Sequence, residues 1–408
     1  MTGAYEIEIL KNNGDGTTTK VCDILEPYPL NKNGDILTFT KELSEFGTAT
    51  FRVSAYDDIL TQYGDVLIPH EYHVRIKRNG YTAWQGAIID NPRRTTAFIE
   101  VQCAEYLWYL SKILINRSSN DPATGTANGL YRIFNSGTMG TAVTNLVNES
   151  ITTWNQSTNK TSPLSGMTVG TVENPNFPAN MTDNLSNPLT GAWTFSTTLQ
   201  MMFDFQSVLY VLKSFGTVSY ADFEITSDLV FNFKKFIGND RRYDVNFVFN
   251  RSGNFAQTNL IDYNLPRLGQ RMANSIWGVA TDTYGTVLFS PQSNQNSITT
   301  YGLLEGVAAY ADINDQGILG ARTTAELNLI GTPDQTNVIV VLNETTAYPL
   351  GVWDVGDVVS INIQNKGVTF SDFRRIVGCS VSVHNTGREI TSVQTNVVLP
   401  SQFGSIGA

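Results

Sequence analysis

Apolar and polar residues alternate through most of the first hundred positions, which predicts β-strands. The clearest unit is "EYHVRIKRNGYTAWQGAIIDNPRRTTAFIEVQCA", in which Tyr72, Val74 and Ile76 occupy one face and the intervening residues are polar or charged. Asn79-Gly80 predicts a tight hairpin turn, and "NPRR" predicts a second turn. A short helix, "AEYLWYLSKIL", is expected to close this segment.

The pattern changes between Asn116 and Phe195, a stretch rich in Asn, Thr, Ser and Gly. It contains one helical piece, "GTAVTNLVNESI", and otherwise predicts a loop-rich surface insertion with little internal order. A longer helix, "LQMMFDFQSVLYVLKSFG", is predicted to end at Gly216 as a C-cap. Five short strand patterns follow it, which favours an α+β arrangement.

The last third begins with a predicted helix, "GILGARTTAELNLI", whose apolar face carries Ile318, Ala321, Ala325 and Leu329. Four strand patterns then complete the chain: "NVIVVL", "DVVSINI", "VTFSDFRRIVGCSVSVH" and "REITSVQTNVVL". The order strand, Gly turn, long strand, turn and strand occurs near both ends of the chain. Either this is a duplicated small β-barrel module, or it is the chance similarity that common meanders show.

These patterns together predict a mainly β protein with an α+β insertion, in which two similar small β-barrel modules at the N- and C-terminus flank middle domains. The predicted division is a β-barrel module at 1–112, the Asn/Thr/Ser-rich insertion at 113–197, an α+β middle domain at 198–296, and a helix followed by the second β-barrel module at 297–408.

Composition narrows the possible functions. The 408 residues carry a formal net charge of −10, and only 16% of them are charged. This balance argues against general binding to nucleic acids or anionic membranes. Cys22, Cys103 and Cys379 are too few and too scattered for a disulfide framework, so buried free thiols are expected. No signal peptide is recognisable and no apolar run could span a bilayer, so the expectation is a soluble chain made in a cytoplasm.

Candidate catalytic or metal-binding groups are sparse. Asp354 and Asp357 flank a Gly ahead of a strand, which favours an entry turn over an acid or metal pair. "PHEYH" supplies His70 and His73, but their spacing on a strand does not match the zincin helix, so ordinary structural histidines are favoured.

Two loop motifs are also incomplete. "DINDQG" begins like a calcium loop, yet Thr323 stands where the bidentate Glu should be. "NGDGTTT" lies between two strands, which favours a hairpin over a phosphate loop. A carboxylate-only glycosidase site needs no local motif and stays open.

Two aromatic residues, Trp154 and Trp193, lie in the polar insertion. They are candidates for stacking on a host-surface glycan, and the alternative is that they anchor a segment with little other core.

A family resemblance appears in the C-terminal third. "SITTYGLLEG", the helix "GILGARTTAELNLI", "LGVWDVGDVVSI" and the closing hairpins resemble baseplate or tail-tip hub proteins (minor tail proteins) of long-tailed bacteriophages of the siphophage type. The family-motif positions are occupied by Tyr301, Gly302, Glu305, Gly356 and Asp357. Leu304 stands where the motif commonly has a basic residue. "FGTATFRVSAYDD" and "VRIKRNGYTAWQGAII" are similar to the first domain of the same family.

The resemblance implies a structural virion protein without catalysis, cofactor or metal. It implies a homotrimeric hub at the distal tip of the tail, whose tube-type β-modules line a channel for DNA and adapt a six-fold tail to a three-fold tip. The implied partners are a distal tail ring, a tape measure protein, and a central fibre or spike. The alternatives are a receptor-binding tip protein that contacts host glycans and a tail-associated cell-wall hydrolase.

Overall fold

A computed structural model of the chain describes residues 5–15, 17–25, 27–115, 126–127, 132–155, 164–178, 181, 188–250, 258–266, 272–281, 285–310, 313–332, 338–342 and 348–398. A 14-stranded sheet dominates the molecule and draws its strands from both ends of the chain, and three small three-stranded sheets accompany it. The predicted mainly β class with α+β elements is therefore confirmed.

The N-terminal module contains eight strands and two short helices. They are β1 (Tyr5–Asn12), β2 (Thr18–Ile24), β3 (Pro27–Tyr28), β4 (Asp35–Glu42), β5 (Thr48–Ser54), α1 (Asp58–Tyr63), β6 (Tyr72–Arg78), β7 (Tyr81–Arg94), β8 (Phe98–Ala104) and α2 (Leu107–Leu110). Their antiparallel order is β4-β5-β8-β7-β6-β1-β2, and β3 pairs with β5. Because β2 leads almost directly into β3, the sheet curls back towards β5 around a core that includes Phe51, Val74 and Trp84.

The middle unit begins with the following elements: β9 (Thr126–Ala127), β10 (Arg132–Phe134), α3 (Met139–Asn155), β11 (Thr168–Val172), β12 (Met201–Phe203), α4 (Val208–Ser219), β13 (Asp222–Ile225) and β14 (Val230–Lys234). Ser207 caps α4 by accepting from the Tyr210 N–H, and the helix ends at Tyr220 in the left-handed region. The predicted helix from Leu199 to Gly216 is therefore wrong at both ends. It begins too early, because Met201–Phe203 pairs as a strand with β10, and it ends before the last helical residue, Ser219.

The rest of the chain contributes strands first to the large sheet, then to a small three-stranded sheet, and then to the large sheet again. Its elements are β15 (Asn246–Asn250), β16 (Leu260–Asn264), β17 (Ser275–Thr281), β18 (Val287–Ser293), α5 (Gln295–Tyr301), β19 (Glu305–Ala309), α6 (Gln316–Ile330), β20 (Val338–Leu342), β21 (Val358–Asn365), β22 (Val368–His384) and β23 (Glu389–Val397).

The C-terminal module consists of β15, β16 and β20–β23. Its strand order is β16-β20-β23-β22-β21-β15. The N–H of Asn259 donates to the carbonyl of Val248 over 3.0 Å, which brings the two outer strands together and nearly closes the sheet. Since β15 and β16 precede residue 297, the predicted boundary at 297 does not delimit this module.

The middle unit has its own core, to which α3, α4 and the small sheets contribute. Phe134, Trp193 and Phe195 are buried in it beside Phe215 of α4. The described part of the segment 113–197 is therefore core-forming, and the expectation of a surface insertion with little order was wrong for it. Aromatic and apolar residues spaced far apart among Asn, Thr and Ser gave no periodic signal.

Two meanders in the large sheet have the same pairing scheme. The long strand β7 pairs with β6 through its first half and with β8 through its second half. The long strand β22 pairs in the same way with β21 and then β23. Both long strands contain a register shift near the change of partner, after Ile88 in β7 and after Ile376 in β22.

None of the helices in the described ranges has the length and apolarity that a membrane span requires.

Candidate functional site at the junction of three units

Strand β4 of the N-terminal module is the hydrogen-bonded bridge between the two β-modules. One edge of β4 pairs with β5, and the other pairs antiparallel with β22 from Glu42 opposite Gly378 to Asp35 opposite His384. At the end of this ladder, the His384 ring lies 2.5 Å from the carbonyl oxygen of Asn33 through Nε2. The two modules therefore form one continuous sheet with a fixed relative orientation.

An ion pair crosses the same junction. Lys41 Nζ of β4 lies 2.5 Å from Asp354 Oδ1, and the Tyr81 hydroxyl donates to Asp354 Oδ2 over 2.9 Å. Burial, the largest single effect, would lower the pKa of Lys41, but the surrounding acidic groups, of which Asp354 is the strongest, together outweigh burial, and the pKa lies above its ordinary value. Burial, followed by the charge of Asp354, raises the pKa of Tyr81 to about 12.

The two aspartates of the "WDVGD" turn have separate structural roles. Asp357 is almost fully buried and accepts the N–H of Asp354 through Oδ2 at 3.0 Å, which closes the turn. Its Oδ1 accepts the N–H of Asn239 from the middle unit at 2.6 Å. The turn interpretation is thus confirmed, because the two carboxylates point to different partners.

A buried ion pair fixes the middle unit to the C-terminal module. Arg375 of β22 donates to both carboxylate oxygens of Asp222, at 2.5 Å and 3.2 Å, and also to the carbonyl of Ile237 at 2.7 Å. The side chains of Arg375 and Asp222 are only 4% and 9% exposed. Removing either partner would leave an uncompensated buried charge, which is costly.

Two glycines allow the backbones to meet beside this pair. Gly238 has φ 118°, and a Cβ placed on it would lie 2.2 Å from the carbonyl carbon of Gly356. Gly356, a family-motif position, has φ 99° and donates its N–H to the carbonyl of Ile376 over 2.8 Å. Side chains at these two positions would separate the units.

A cavity of about 390 Å³ lies where the three units meet. Its lining includes Lys41, Trp84 and Glu105 from the N-terminal module, Phe223 from the middle unit and Asp354 from the C-terminal module. Burial raises the pKa of Glu105 to about 7, although the charge of Lys41 and the Gly47 N–H, which donates to Glu105 over 2.7 Å, both lower it. The acid therefore changes its charge near neutral pH.

The remaining family-motif positions lie away from this junction. Tyr301 ends α5 and is half exposed, Gly302 follows it with φ 81°, and Glu305 opens β19 on the surface. The structure brings these three together with one another but not with Gly356 and Asp357. Their roles as functional positions stay predictions.

The two tryptophans proposed for glycan stacking have different outcomes. Trp193 is fully buried, and its ring packs against Phe177 and Phe195, so no ring face is available to a sugar. These contacts agree with the alternative interpretation, in which Trp193 anchors the core of its segment. Trp154 belongs to α3, and its side chain lies outside the part of the chain that the structure describes.

His73 and the three cysteines are buried, whereas His70 lies at the surface beside them. The rings of His70 and His73 contact the hydroxyls of Tyr109 and Tyr106 respectively, and burial lowers the pKa of His73 to about 4. Cys22, Cys103 and Cys379 are buried free thiols, as expected. Within the described ranges, no group of three or more His, Cys, Asp or Glu residues is arranged to hold a metal ion.

Lys41, Asp222 and Arg375 were not identified from the sequence. Each interrupts an otherwise apolar or alternating strand pattern with a charge. That interruption is the one local signal of a buried partner, and the partner itself lies more than a hundred positions away in each case.

Several solved structures are similar to this chain over nearly its whole length. The chain is similar over 97% of its length to the tail protein of Neisseria meningitidis, covering 97% of that chain with a TM-score of 0.57 and 9% identity. It is similar over 96% of its length to the 43 kDa tail protein of prophage MuSo2 from Shewanella oneidensis, covering 97% of that chain with a TM-score of 0.57 and 9% identity. A third match, prophage tail protein gp18 from Listeria monocytogenes, has a TM-score of 0.50 and 11% identity, with 98% of each chain covered.

No protein-family model matches the sequence, and no curated protein matches it. At the level of fold, the predicted resemblance to phage tail proteins is confirmed.

Proposed function

We propose that this chain is a structural protein of a bacteriophage tail. In this proposal it forms a homotrimeric hub at the distal tip, adapts a six-fold tail to a three-fold tip and surrounds the path of the DNA. The full-length fold similarity to phage tail proteins supports the coarse assignment. The symmetry-adapting role goes further and rests on the arrangement of the two modules.

The observation that carries the proposal is the repeated meander. Strands β6-β7-β8 and β21-β22-β23 share one pairing scheme, including a partner change along the long middle strand. A chain that presents two alike modules supplies six such modules when three copies associate. A ring of six modules matches a six-fold neighbour, while the chain itself obeys three-fold symmetry.

The shared strand β4 supports the same idea. Two modules joined by a flexible linker could not present fixed positions in a ring. Here the β4–β22 ladder, the Lys41–Asp354 ion pair and the buried Arg78–Glu389 ion pair (Nε–Oε2 2.8 Å) hold the modules in one orientation. A rigid pair of modules is what symmetry matching requires.

Binding partners follow from the same proposal. A distal tail ring would contact one face of the ring of modules, and a tape measure protein and a central fibre or spike would occupy its axis. The virion tail tip is the corresponding location. An assembly role needs no catalytic group, and the junction residues described above all have structural partners.

Native mass spectrometry and negative-stain imaging of the purified full-length chain test the proposal. We expect three copies per particle, with class averages that show six similar densities around a central channel. A particle that stays monomeric both at high concentration and in isolated tails contradicts the hub, as does a closed dimer. Lysis zones on a gel containing bacterial cell wall would instead support the hydrolase alternative.

A further inference from the structure

One sheet of the middle unit has a covered face and an open face. Its strand order is β18-β17-β19, and helix α6 packs against the face that carries Ile276, Gly278 and Ala280. Ile276 and Ala280 are buried there. Gly278 allows close contact, because a Cβ on it would overlap Thr323 Oγ1 of α6 and lie 3.2 Å from Leu319 Cδ1. The helix therefore gives the sheet a rigid backing.

The alternate residues of the same strands form the open face, because side chains alternate along a strand. Trp277 of β17 lies opposite Pro291 of β18 and Val307 of β19. In the next row, Val279 lies opposite Phe289. Trp277 is 43% exposed, Phe289 54% and Val307 75%. An apolar sheet face with two aromatic rings is therefore open to solvent.

The position of β19 in this sheet is fixed by a buried side chain. Asn274 is fully buried, donates to the carbonyl of Gly302 at 2.7 Å and accepts the N–H of Leu304 at 2.8 Å. The N–H of Ser275 donates to the carbonyl of Leu304 at 3.1 Å. The loop that contains the family-motif position Gly302 is thus held against β17, and Val307 is placed beside Trp277. A surface that is preformed in this way binds a ligand without paying for its own ordering.

The open face is larger than isolated exposed residues produce and smaller than a stable protein interface needs. Its four most exposed apolar side chains, Trp277, Val287, Phe289 and Val307, together expose on the order of 400 Å². Patches of this size are often functional. A stable protein–protein interface, however, buries about 800 Å² on each partner. A ligand narrower than a protein surface therefore fits the face better.

The charge of the face argues against an anionic ligand. The three strands contain no Lys or Arg, and Glu305 is their one charged residue. Glu305 shares the end row with Ser275 and Ser293, and Thr281 lies at the other end of β17. The apolar rows are thus bordered by hydroxyl groups and one carboxylate, which donate or accept hydrogen bonds. A chain of net charge −10 without a cation at this site complements an uncharged ligand.

We propose that the open face of β17–β19 binds an uncharged polysaccharide of a bacterial surface. The C–H groups on one side of a pyranose ring are weakly positive and pack against the negative face of an aromatic ring. Trp277 and Phe289 are diagonal neighbours on adjacent strands, about 7–8 Å apart, so each contacts a different sugar unit. Val307 extends the apolar contact on the other side of Trp277, and the bordering hydroxyls and Glu305 bind the sugar hydroxyls. Trp277 has the exposure that Trp193 lacks.

Glycan binding by the purified full-length chain tests this proposal. An array of bacterial surface polysaccharides, both neutral and anionic, identifies the sugar, and isothermal titration calorimetry with an oligosaccharide of that polysaccharide measures the affinity. We expect binding to at least one neutral polysaccharide. Tryptophan emission should shift on binding in the wild type. The shift should be absent in Trp277→Phe, which keeps an aromatic ring and with it part of the affinity.

Alanine variants locate the binding surface. Trp277→Ala and Phe289→Ala should each weaken binding at least about tenfold, because each removes a stacking ring. Tyr243→Ala is the matched control, since it removes an aromatic side chain that is 86% exposed just before β15, and it should bind like the wild type. All three variants should unfold at nearly the same urea concentration as the wild type, so that lost binding reports on the face and not on the fold.

The remaining outcomes overturn the proposal. These are no binding to any polysaccharide, binding to anionic polysaccharides only, and binding that survives both Trp277→Ala and Phe289→Ala. Self-association, or contact with another tail protein, that Trp277→Ala abolishes in the absence of glycan binding assigns the face to a protein partner instead. The proposed tail function does not use this face, so native mass spectrometry and imaging of the wild type decide it separately.

Discussion

Lys41 and Asp354, 313 positions apart, form an ion pair with Nζ–Oδ1 2.5 Å at the seam between the two β-modules. The Lys41 side chain is 18% exposed and that of Asp354 is 37% exposed, so the pair is sheltered on the lysine side and wetter on the aspartate side. Asp354 also accepts the Tyr81 hydroxyl. One carboxylate therefore connects the turn before β21 to two strands of the N-terminal module.

The Lys41–Asp354 pair should show measurable coupling. We expect Lys41→Met and Asp354→Asn each to lower the free energy of unfolding by about 1–2 kcal/mol, because each leaves a partly buried partner without its counter-charge. The double variant should lose less than the sum, with a coupling of about 1 kcal/mol. Urea unfolding of the four proteins measures it, and additive losses would show that the pair does not hold the seam.

The Asp222–Arg375 pair should matter more, because both side chains are buried. We expect Asp222→Ala to lower the free energy of unfolding by about 3–5 kcal/mol by leaving the Arg375 guanidinium uncompensated. Arg375→Lys should also destabilise, because an ammonium cannot donate to both carboxylate oxygens and to the Ile237 carbonyl in the same geometry.

The exposed pair Arg94–Asp65 provides the control for this experiment. Its side chains are 47% and 43% exposed, so Asp65→Ala should cost less than about 1 kcal/mol. Chemical denaturation with tryptophan fluorescence compares the variants under the same conditions. Equal losses for Asp222→Ala and Asp65→Ala would contradict a special role for the buried pair.

The strands near both ends could be predicted from sequence because period-two alternation and Gly turns are local signals. The pattern "VTFSDFRRIVGCSVSVH" predicted β22 over its full length. Asn79-Gly80 predicted the hairpin between β6 and β7, and both residues have positive φ. Helix α6 was predicted from the spacing of apolar residues and matches to within one residue, whereas the helical piece predicted at 140–151 covers only part of α3, which extends to Asn155. In α6, however, Leu329 is 46% exposed, since the helix is buried along only part of its predicted face.

The junction could not be predicted, because it depends on residues that only the tertiary fold brings together. Nothing local to Lys41 indicates Asp354, and nothing local to Asp222 indicates Arg375. The C-terminal module also takes β15 and β16 from the region before the β17–α6 segment, and no composition change marks that interruption. Strand β19 was missed because "EGVAA" is too short and too rich in small residues to show alternation.

Trp193 should act through the core of the middle unit. We expect Trp193→Ala to lower the free energy of unfolding by about 3–5 kcal/mol, because it removes a fully buried ring that contacts Phe177 and Phe195. Trp277→Ala is the matched control, since that tryptophan is 43% exposed on β17 and should cost about 1 kcal/mol or less. A stable Trp193→Ala protein with altered glycan binding would contradict the core role.

Glu105 should make stability depend on pH near neutrality. Its pKa is about 7 in the folded chain and 4.5 as an ordinary glutamate, and burial is the main cause of the difference. Between these values the folded state holds a proton that the unfolded state has lost. The free energy of unfolding therefore contains a contribution that is fully present below pH 4.5 and is lost as the pH rises to about 7, with a slope of at most about 1.4 kcal/mol per pH unit.

Glu105→Gln isolates this contribution from all other titrating groups, because the amide oxygen can still accept the Gly47 N–H while the side chain stays neutral. Lys41, Asp354 and Glu42 are the other charges that act on this site, and they are unchanged in the variant. The difference in unfolding free energy between variant and wild type should grow in favour of the variant from pH 5 to pH 7 and then level off. Urea unfolding at pH 5, 6, 7 and 8 measures that difference. A constant difference across the series would mean that Glu105 is already ionised in the folded protein, held charged by Lys41 and the Gly47 N–H.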